Sequence, residues 1–187
     1  MEFRNPKLTH GVTLIEMMIA IAVLAIVLLS VAPDMRFMLA KHRMISELNS
    51  LSSLLQMTRF LAIDNQRSAT LCPARDLRTC EFTDWNLPKI VFSDSNNNKV
   101  RDNDEALLSA INRSASGVTV TGPKKTIRFL ADGVVGSPAT LLLCPTRTEP
   151  RLNRALVISL QGRIRTSKDA NNDDIHEVSA KKPVPCP

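Results

Sequence analysis

The 187-residue sequence has no tyrosine, one tryptophan and six phenylalanines, so aromatic residues make up only 4% of the chain. Single-stranded nucleic acid usually stacks its bases on aromatic side chains, so we expect any contact with nucleic acid to be mainly electrostatic. Histidine is also scarce, and His10, His42 and His176 belong to no recognisable nucleophile or metal arrangement. Because a glycine-rich phosphate loop is absent as well, we expect neither an enzyme nor a bound cofactor.

Basic residues outnumber acidic ones by 24 to 18, and the excess is concentrated in the second half of the chain. Between Ile111 and Lys168 there are ten lysines and arginines against Asp132 and Glu149 alone. Such a region favours polyanions, namely DNA, acidic lipid or an acidic protein partner. The alternative is a soluble surface that happens to be basic.

The N-terminus changes abruptly from polar to apolar. Residues 1–11 are polar and include Arg4 and Lys7, and Val12–Ala32 is then an apolar run of 21 residues with one charge, Glu16. A helix of this length covers the roughly 30 Å hydrocarbon layer of a bilayer. No small-residue cleavage site follows the run, so we expect a retained single-pass helix with everything after it outside the cytoplasm.

Glu16 is unusual within that run. An ionised carboxylate inside a membrane costs several kcal/mol and persists only with a partner or a function. The alternative is that Glu16 reaches the headgroup region from one turn inside the helix.

The residues Gly11-Val12-Thr13-Leu14-Ile15-Glu16 resemble the prepilin processing motif of type IV pilins and type II secretion pseudopilins. The resemblance implies anchoring in the bacterial inner membrane, cleavage after Gly11 by a prepilin peptidase and N-methylation of Val12. It also implies that Glu16 pairs with the N-terminal amine of a neighbouring subunit. Val12 departs from the phenylalanine usual in that family.

Four cysteines without a tight CxxC pair argue against a zinc site. An even number after an export-type N-terminus predicts two disulfides in an oxidising compartment. Three pairings are possible, and proximity favours Cys72 with Cys80 and Cys144 with Cys186, the second tethering the C-terminal tail.

After Pro33 the apolar residues recur mostly at spacings of three and four as far as about Asn65, which predicts an amphipathic helix. Its predicted core residues are Phe37, Leu39, Met44, Ile45, Leu48, Leu51, Leu54, Leu55, Met57, Leu61 and Ile63. From Arg67 the pattern predicts short strands at 68–72, 89–93, 118–121, 126–131, 140–144, 155–160 and 162–166.

The expected fold class is α+β and pilin-like: a long N-terminal helix, half transmembrane and half amphipathic, packed on an antiparallel β-sheet or small β-sandwich. We expect four segments, a leader peptide (1–11), a transmembrane and assembly helix (12–33), an amphipathic helix (34–66) and a β-rich periplasmic domain (67–187).

Five polar residues occupy positions 1, 3, 5, 9 and 12 of an EF-hand-type loop: Asp94, Asn96, Asn98, Asp102 and Glu105. Position 6 of such a loop is glycine, but here it is Lys99. The sequence before Asp94 is also β-like, whereas an EF-hand loop follows a helix. We therefore favour a polar hairpin tip with left-handed Asn and Asp residues over a calcium site, and expect no other metal site.

Several downstream motifs resemble FimT-type minor pilins, with FimU-type minor pilins and GspH-type pseudopilins as close relatives. These motifs are Leu71-Cys72-Pro73, Cys80, Asp84-Trp85, Val91-Phe92-Ser93-Asp94-Ser95-Asn96, Arg101-Asp102 and Gly162-Arg163-Ile164-Arg165. The resemblance implies binding of DNA during natural transformation through Arg163 and Arg165.

Arg163 and Arg165 are two residues apart, so on a strand they would point to one face, with Gly162 allowing a tight turn before them. The residues Arg147, Arg151, Arg154 and Lys168 would extend a phosphate-binding, sequence-independent patch. One alternative is that these arginines are simply a solvated edge, and another is that they protect an exposed strand from aggregation. A third is a purely structural minor pilin or pseudopilin that primes fibre assembly. Other pilin subunits are partners in either case.

Overall fold

The computed structural model describes residues 11–179 and 182–186, and excludes the side chains of residues 29–34. Residues 1–10, most of the expected leader peptide, therefore lie outside the described residues. The chain forms two compact units that divide between Leu39 and Ala40. The first contains the start of helix α1 (Leu14–Asp64), and the second contains the rest of that helix and all the strands.

Helix α1 contains no glycine, and between Ala40 and Asp64 it contains no proline either, so nothing interrupts its backbone hydrogen bonds there. It ends in a Schellman motif. Gln66 has a φ of 51°, and the Arg67 N–H donates to the Ala62 carbonyl over 3.2 Å. Among the residues that the structure describes, no helix has the length and apolar character needed to cross a membrane.

Ten strands and one short 3-10 helix (Pro150–Leu152) are described. The strands are β1 (Ala69–Pro73), β2 (Lys89–Phe92), β3 (Leu107–Ile111), β4 (Val118–Thr121), β5 (Ile127–Phe129), β6 (Ala139–Pro145), β7 (Arg154–Ile158), β8 (Ile164–Thr166), β9 (Glu177–Ser179) and β10 (Lys182–Pro183).

All strand pairs are antiparallel. One sheet has the order β3-β2-β1-β5, another has the order β4-β6-β7-β8, and β9 pairs with β10. The two four-stranded sheets and the second half of α1 share one core, so the predicted α+β fold class, a long N-terminal helix with antiparallel sheets, is confirmed.

The helix contributes one stripe to that core: Met44, Leu48, Leu51 and Leu55 follow spacings of three and four, Leu54 lies beside them, and Ala62 lies two turns further on. Five predicted core residues do not belong to it. Phe37, Leu39, Met57 and Ile63 are exposed, and Ile45 is half-buried. Their spacing fits the period of a helix, but they lie off the face that the sheets cover, and Phe37 and Leu39 precede the second unit altogether.

The pattern also missed β3, β9 and β10. These strands are poorly buried, and two of them have two or three residues, so they lack the alternation by which strands are recognised.

Candidate functional site

The start of α1 lies next to the expected processing point. Gly11 and Val12 precede the helix and are exposed. The Glu16 N–H donates to Thr13 Oγ1 over 3.3 Å, so Thr13 caps the helix. A carboxylate in the first turn also interacts favourably with the helix dipole. Glu16 therefore has a local structural reason for its position, in addition to the intersubunit role expected from the sequence.

The first part of α1 presents an apolar surface around its whole circumference. Every large apolar side chain between Leu14 and Leu28 is at least half exposed, from 50% at Val27 to 80% at Leu14. A helix that is apolar on all sides is typically covered by other helices or by lipid. This segment is thus a surface for contact with other molecules.

Two disulfides stabilise the second unit. Cys72 on β1 is bonded to Cys80, and Cys144 on β6 is bonded to Cys186 near the end of the chain. These are the pairings that proximity favoured. The second bond fixes the tail where Val184 is buried, 4% exposed.

The arginines expected to bind DNA lie at the edge strand β8, to which Arg165 belongs and which Arg163 directly precedes. In the β7–β8 pair, Arg165 lies opposite Val157 and Ile164 lies opposite Ile158. Ile164 packs against the core, whereas Arg163 and Arg165 on either side of it are exposed. Both arginines therefore lie on the outward side of β8.

The two guanidinium groups differ in their contacts. Arg165 Nη2 donates to the Val178 carbonyl over 2.8 Å, which orients the side chain and leaves its other N–H groups for a ligand. Within the described part of the chain, the Arg163 guanidinium has no hydrogen bond or ion pair.

Gly162 allows the turn before these arginines and also a close approach of two loops. Its φ is 71°, and a Cβ there would lie 2.1 Å from the Gly133 carbonyl oxygen. Arg59 of α1 donates from Nε to the same carbonyl over 3.0 Å and from Nη2 to Gln161 O over 3.4 Å. The helix thereby holds the turn in place.

Of the four further basic residues, Arg151 and Lys168 lie away from Arg163. Arg147, Arg151 and Lys168 are exposed, but Arg151 Nε lies 3.2 Å from Glu149 Oε1. Arg151 and Lys168 lie by the start of β7, whereas Arg163 lies by its end.

The prediction that Arg154 binds DNA is wrong in this structure. Arg154 is 8% exposed, and its Nη1 donates to Arg151 O and Asn153 O over 2.7 and 2.8 Å. Burial lowers the pKa of the guanidinium. Its role is to hold the turn before β7.

The five residues considered for calcium lie close together in one loop. Asp94 accepts hydrogen bonds from the Asn98 and Lys99 N–H groups, and Glu105 accepts from Ser95 and Asp102. The Asn96 and Asn98 amides both donate to Asp102 Oδ2 over 2.9 Å. Asn97 and Lys99 have positive φ, the left-handed geometry expected of a polar tip.

A second loop, 75 residues later, has the same pattern of carboxylates accepting backbone N–H groups, which the sequence motifs did not predict. Asp169 accepts from the Asp173 and Asp174 N–H groups, just as Asp94 accepts from Asn98 and Lys99. Glu177 Oε2 accepts from the Ala170 N–H, as Glu105 accepts from the Ser95 N–H. The shared spacing of Asp169, Asn171 and Asp173 with Asp94, Asn96 and Asn98 could have revealed it.

A groove of about 470 Å³ separates the end of α1 from the β7–β8 turn. It is lined by Gln56, Arg59, Phe60, Ile63, Gly162, Arg163 and Ile164. Sequence reasoning overlooked Phe60, because a lone phenylalanine beside a helical core stripe carries no signal of function.

Two family models match the chain. Residues 47–162, more than half of the chain, match the type II transport protein GspH, and residues 6–32 match the prokaryotic N-terminal methylation motif. No curated protein sequence matches significantly.

The fold is similar to a solved structure of a type IV minor pilin. The Pseudomonas aeruginosa type IV minor pilin FimU is 20% identical with a TM-score of 0.53, covering 68% of this chain and 90% of that one. The minor pseudopilin EpsH from the type 2 secretion system of Vibrio cholerae is 18% identical with a TM-score of 0.45, covering 65% and 93%. With residues 47–162 matched by the GspH model and the methylation motif matched before them, the chain belongs to the type II transport protein GspH family, as a GspH-like minor pilin or pseudopilin.

Proposed function

We propose that the chain is a structural subunit of a type IV pilus or a type II secretion pseudopilus, inserted through the first part of α1. The observation that carries this proposal is the apolar surface from Leu14 to Leu28, exposed on every side of the helix. Lipid of the inner membrane would cover it before assembly, and the helices of other pilin subunits would cover it in the fibre.

Processing would prepare the helix for assembly. A prepilin peptidase would cut after Gly11, and the new amino group on Val12 would be methylated. In the fibre, the carboxylate of Glu16 would accept the charged amine of a neighbouring subunit, an attraction strengthened by the low dielectric among helices. Residues 1–11 are then the leader, 12–33 the assembly helix, 34–66 the helix of the folded domain, and 67–187 the periplasmic domain.

The N-terminus and Glu16 provide the test. We expect the full chain, expressed with a prepilin peptidase, to begin at Val12 by mass spectrometry. We expect Glu16→Gln to be processed normally but lost from sheared fibres, whereas the control Glu149→Gln is incorporated. Incorporation of Glu16→Gln at the parental level would leave Glu16 with its local role at the helix start only.

DNA binding is a second candidate function, favoured by the exposed side chains of Arg163 and Arg165 on one side of an edge strand. Arginines two residues apart on a strand lie about 6.6 Å apart along it, so both could contact one phosphate backbone without reading bases. Such contacts would support DNA uptake in natural transformation.

A salt titration tests this second function. Arg163→Gln with Arg165→Gln should weaken duplex binding by the full chain in detergent and reduce the dependence of affinity on salt by about two phosphate contacts. Arg154→Gln is no suitable control, since that residue is buried, but Lys125→Gln removes an exposed positive charge outside the predicted patch. Equal affinity of the double variant and the parent would remove DNA binding from consideration.

Deletion of the gene separates the two functions. Loss of all fibres would indicate that the subunit primes assembly. Normal fibres with lost DNA uptake would indicate the DNA-binding role.

A further inference from the structure

The groove between α1 and the β7–β8 turn places an aromatic ring and apolar side chains next to Arg163. Its volume of about 470 Å³ lies within the range of about 300–1,000 Å³ for small-molecule sites. One wall is the helix, with Gln56, Arg59 and Phe60, and the other is the turn, with Gly162, Arg163 and Ile164. Arg163, the first of the two exposed arginines, thus lines the groove directly, and Arg165 follows it two residues later on β8.

Phe60 makes this groove unusual. Its side chain is 58% exposed, and a phenyl ring left in water is a face on which a flat apolar group can stack. The apolar side chains of Ile63 and Ile164 also line the groove. An aromatic face beside apolar side chains suits a nucleobase, because every base has a π-face.

The charged groups at the groove favour an anionic ligand. Among the described residues that line it, none is acidic, and two are arginines. Arg59 already donates to the Gly133 and Gln161 carbonyls, so it positions the turn. The guanidinium of Arg163, which has no partner among the described residues, is the one available to a phosphate.

We infer that this groove binds an unpaired nucleobase, so that the protein holds single-stranded DNA with the base on Phe60 and the adjoining phosphates on Arg163 and Arg165. This inference rests on the proposed DNA-binding function. It adds a preference for single-stranded over duplex DNA, which the arginines alone would not give. A base in a duplex is already stacked and paired, so only an unpaired base can enter without an additional cost. Gln56 also lines the groove, and since its Nε2 donates to Ser52 Oγ over 3.2 Å, its Oε1 would be the atom that accepts from a base edge.

Another fibre subunit is the competing occupant, since exposed apolar residues also mark protein interfaces. Charge complementarity favours DNA, because an apolar helix like residues 14–28 would leave Arg163 facing apolar side chains without a counter-charge.

The experiment compares two oligonucleotides on full-length protein in detergent micelles by fluorescence anisotropy at low salt. The probes are a labelled thymidine oligonucleotide and a labelled blunt duplex. We expect Phe60→Ala to weaken binding of the single strand about tenfold, which corresponds to about 1.4 kcal/mol, and to change duplex binding less than about twofold. The matched control is Met57→Ala, since Met57 is an exposed apolar residue one turn earlier that does not line the groove.

Further variants separate the possible outcomes. Phe60→Leu should also lose single-strand affinity, because it keeps the apolar contact and removes the ring. Unchanged single-strand binding by Phe60→Ala, with duplex binding still dependent on Arg163 and Arg165, would overturn the inference and leave DNA binding intact. Equal duplex affinity of the parent and of Arg163→Gln with Arg165→Gln would overturn the DNA-binding function itself. Loss of Phe60→Ala from fibres, with single-strand affinity unchanged, would assign the groove to a neighbouring subunit.

Discussion

Lys89 Nζ lies 3.7 Å from Glu47 Oε1, and this ion pair connects β2 to α1 inside the second unit. Lys89 is fully buried and Glu47 is 8% exposed. Each charge has a further partner: Lys89 Nζ donates to Ser114 Oγ over 2.6 Å, and Glu47 Oε2 accepts from the Ala115 N–H over 3.1 Å. The pair therefore fixes how the helix lies on the sheet and on the loop before β4.

Removing one member of this pair should destabilise the protein strongly. Glu47→Leu leaves a buried ammonium group without a counter-charge, and we expect a loss of about 3 kcal/mol in the free energy of unfolding. The double variant Glu47→Leu with Lys89→Met should regain most of that loss, because no unpaired charge remains. Urea unfolding of the full chain in detergent, followed by circular dichroism, measures both. A single variant as stable as the double would contradict the role of the pair.

The same lysine should make stability depend on alkaline pH. Burial lowers the pKa of Lys89 below its usual 10.5, and the opposite charge of Glu47 reduces this effect. Between the lowered pKa and the ordinary one, the unfolded chain binds more protons than the folded one, so this lysine favours folding more as pH rises through that window. Relative to Lys89→Met, the parent should therefore gain stability as pH approaches 10.5. A pH-independent difference between the two proteins would contradict this.

Gly162 should tolerate no side chain. Gly162→Ala places a Cβ 2.1 Å from the Gly133 carbonyl oxygen at a φ of 71°, and the backbone of two loops would have to separate. We expect a loss of more than about 2 kcal/mol by thermal or urea unfolding. Gly136→Ala is the matched control, since the nearest atom there, Arg128 O, is 3.8 Å away, and its effect should stay within about 0.5 kcal/mol.

The fold was largely predictable because its strongest signals are local. The buried helix stripe from Met44 to Ala62 follows helical spacing, and strands such as β4 and β6 alternate or run apolar between turn residues. Spacing cannot tell which of two apolar faces the sheets cover, so Met57 and Ile63 were placed in the core although they are 43% and 40% exposed.

The candidate site was predictable only in part, for a different reason. Alternation in the sequence predicts that Arg163 and Arg165 lie on one side, and both are exposed on either side of the partly buried Ile164. Charge alone could not distinguish the exposed Arg147 from the buried Arg154, because burial there depends on the path of the chain before β7. Phe60 and Gly162 line the same groove although about a hundred residues of sequence separate them, so no local pattern connects them.

The two disulfides should differ in how much they stabilise the protein. Cys144 and Cys186 are 42 residues apart, whereas Cys72 and Cys80 are 8 apart. A cross-link restricts the unfolded chain more when it closes a longer loop, so replacing Cys144 and Cys186 by alanine should cost about 4 kcal/mol. Replacing Cys72 and Cys80 should cost less. Urea midpoints of both double variants test this order, and a larger loss from the short loop would contradict it.

The loop closed by Asp94 and Glu105 should depend on its carboxylates for order. Asp94 is fully buried and accepts from the Asn98 and Lys99 N–H groups, and Asn98 N–H also donates to Asn96 Oδ1. Asp94→Ala removes two of these three hydrogen bonds and should cost about 2 kcal/mol in the free energy of unfolding. Asp104→Ala, an exposed carboxylate in the same loop, is the matched control and should change little. Because the hydrogen bonds already hold the loop, we expect the parent to unfold at the same temperature in excess calcium and in chelator. A calcium-dependent rise in that temperature, abolished by Glu105→Gln, would instead make Asp94, Asn96, Asn98, Asp102 and Glu105 a metal site.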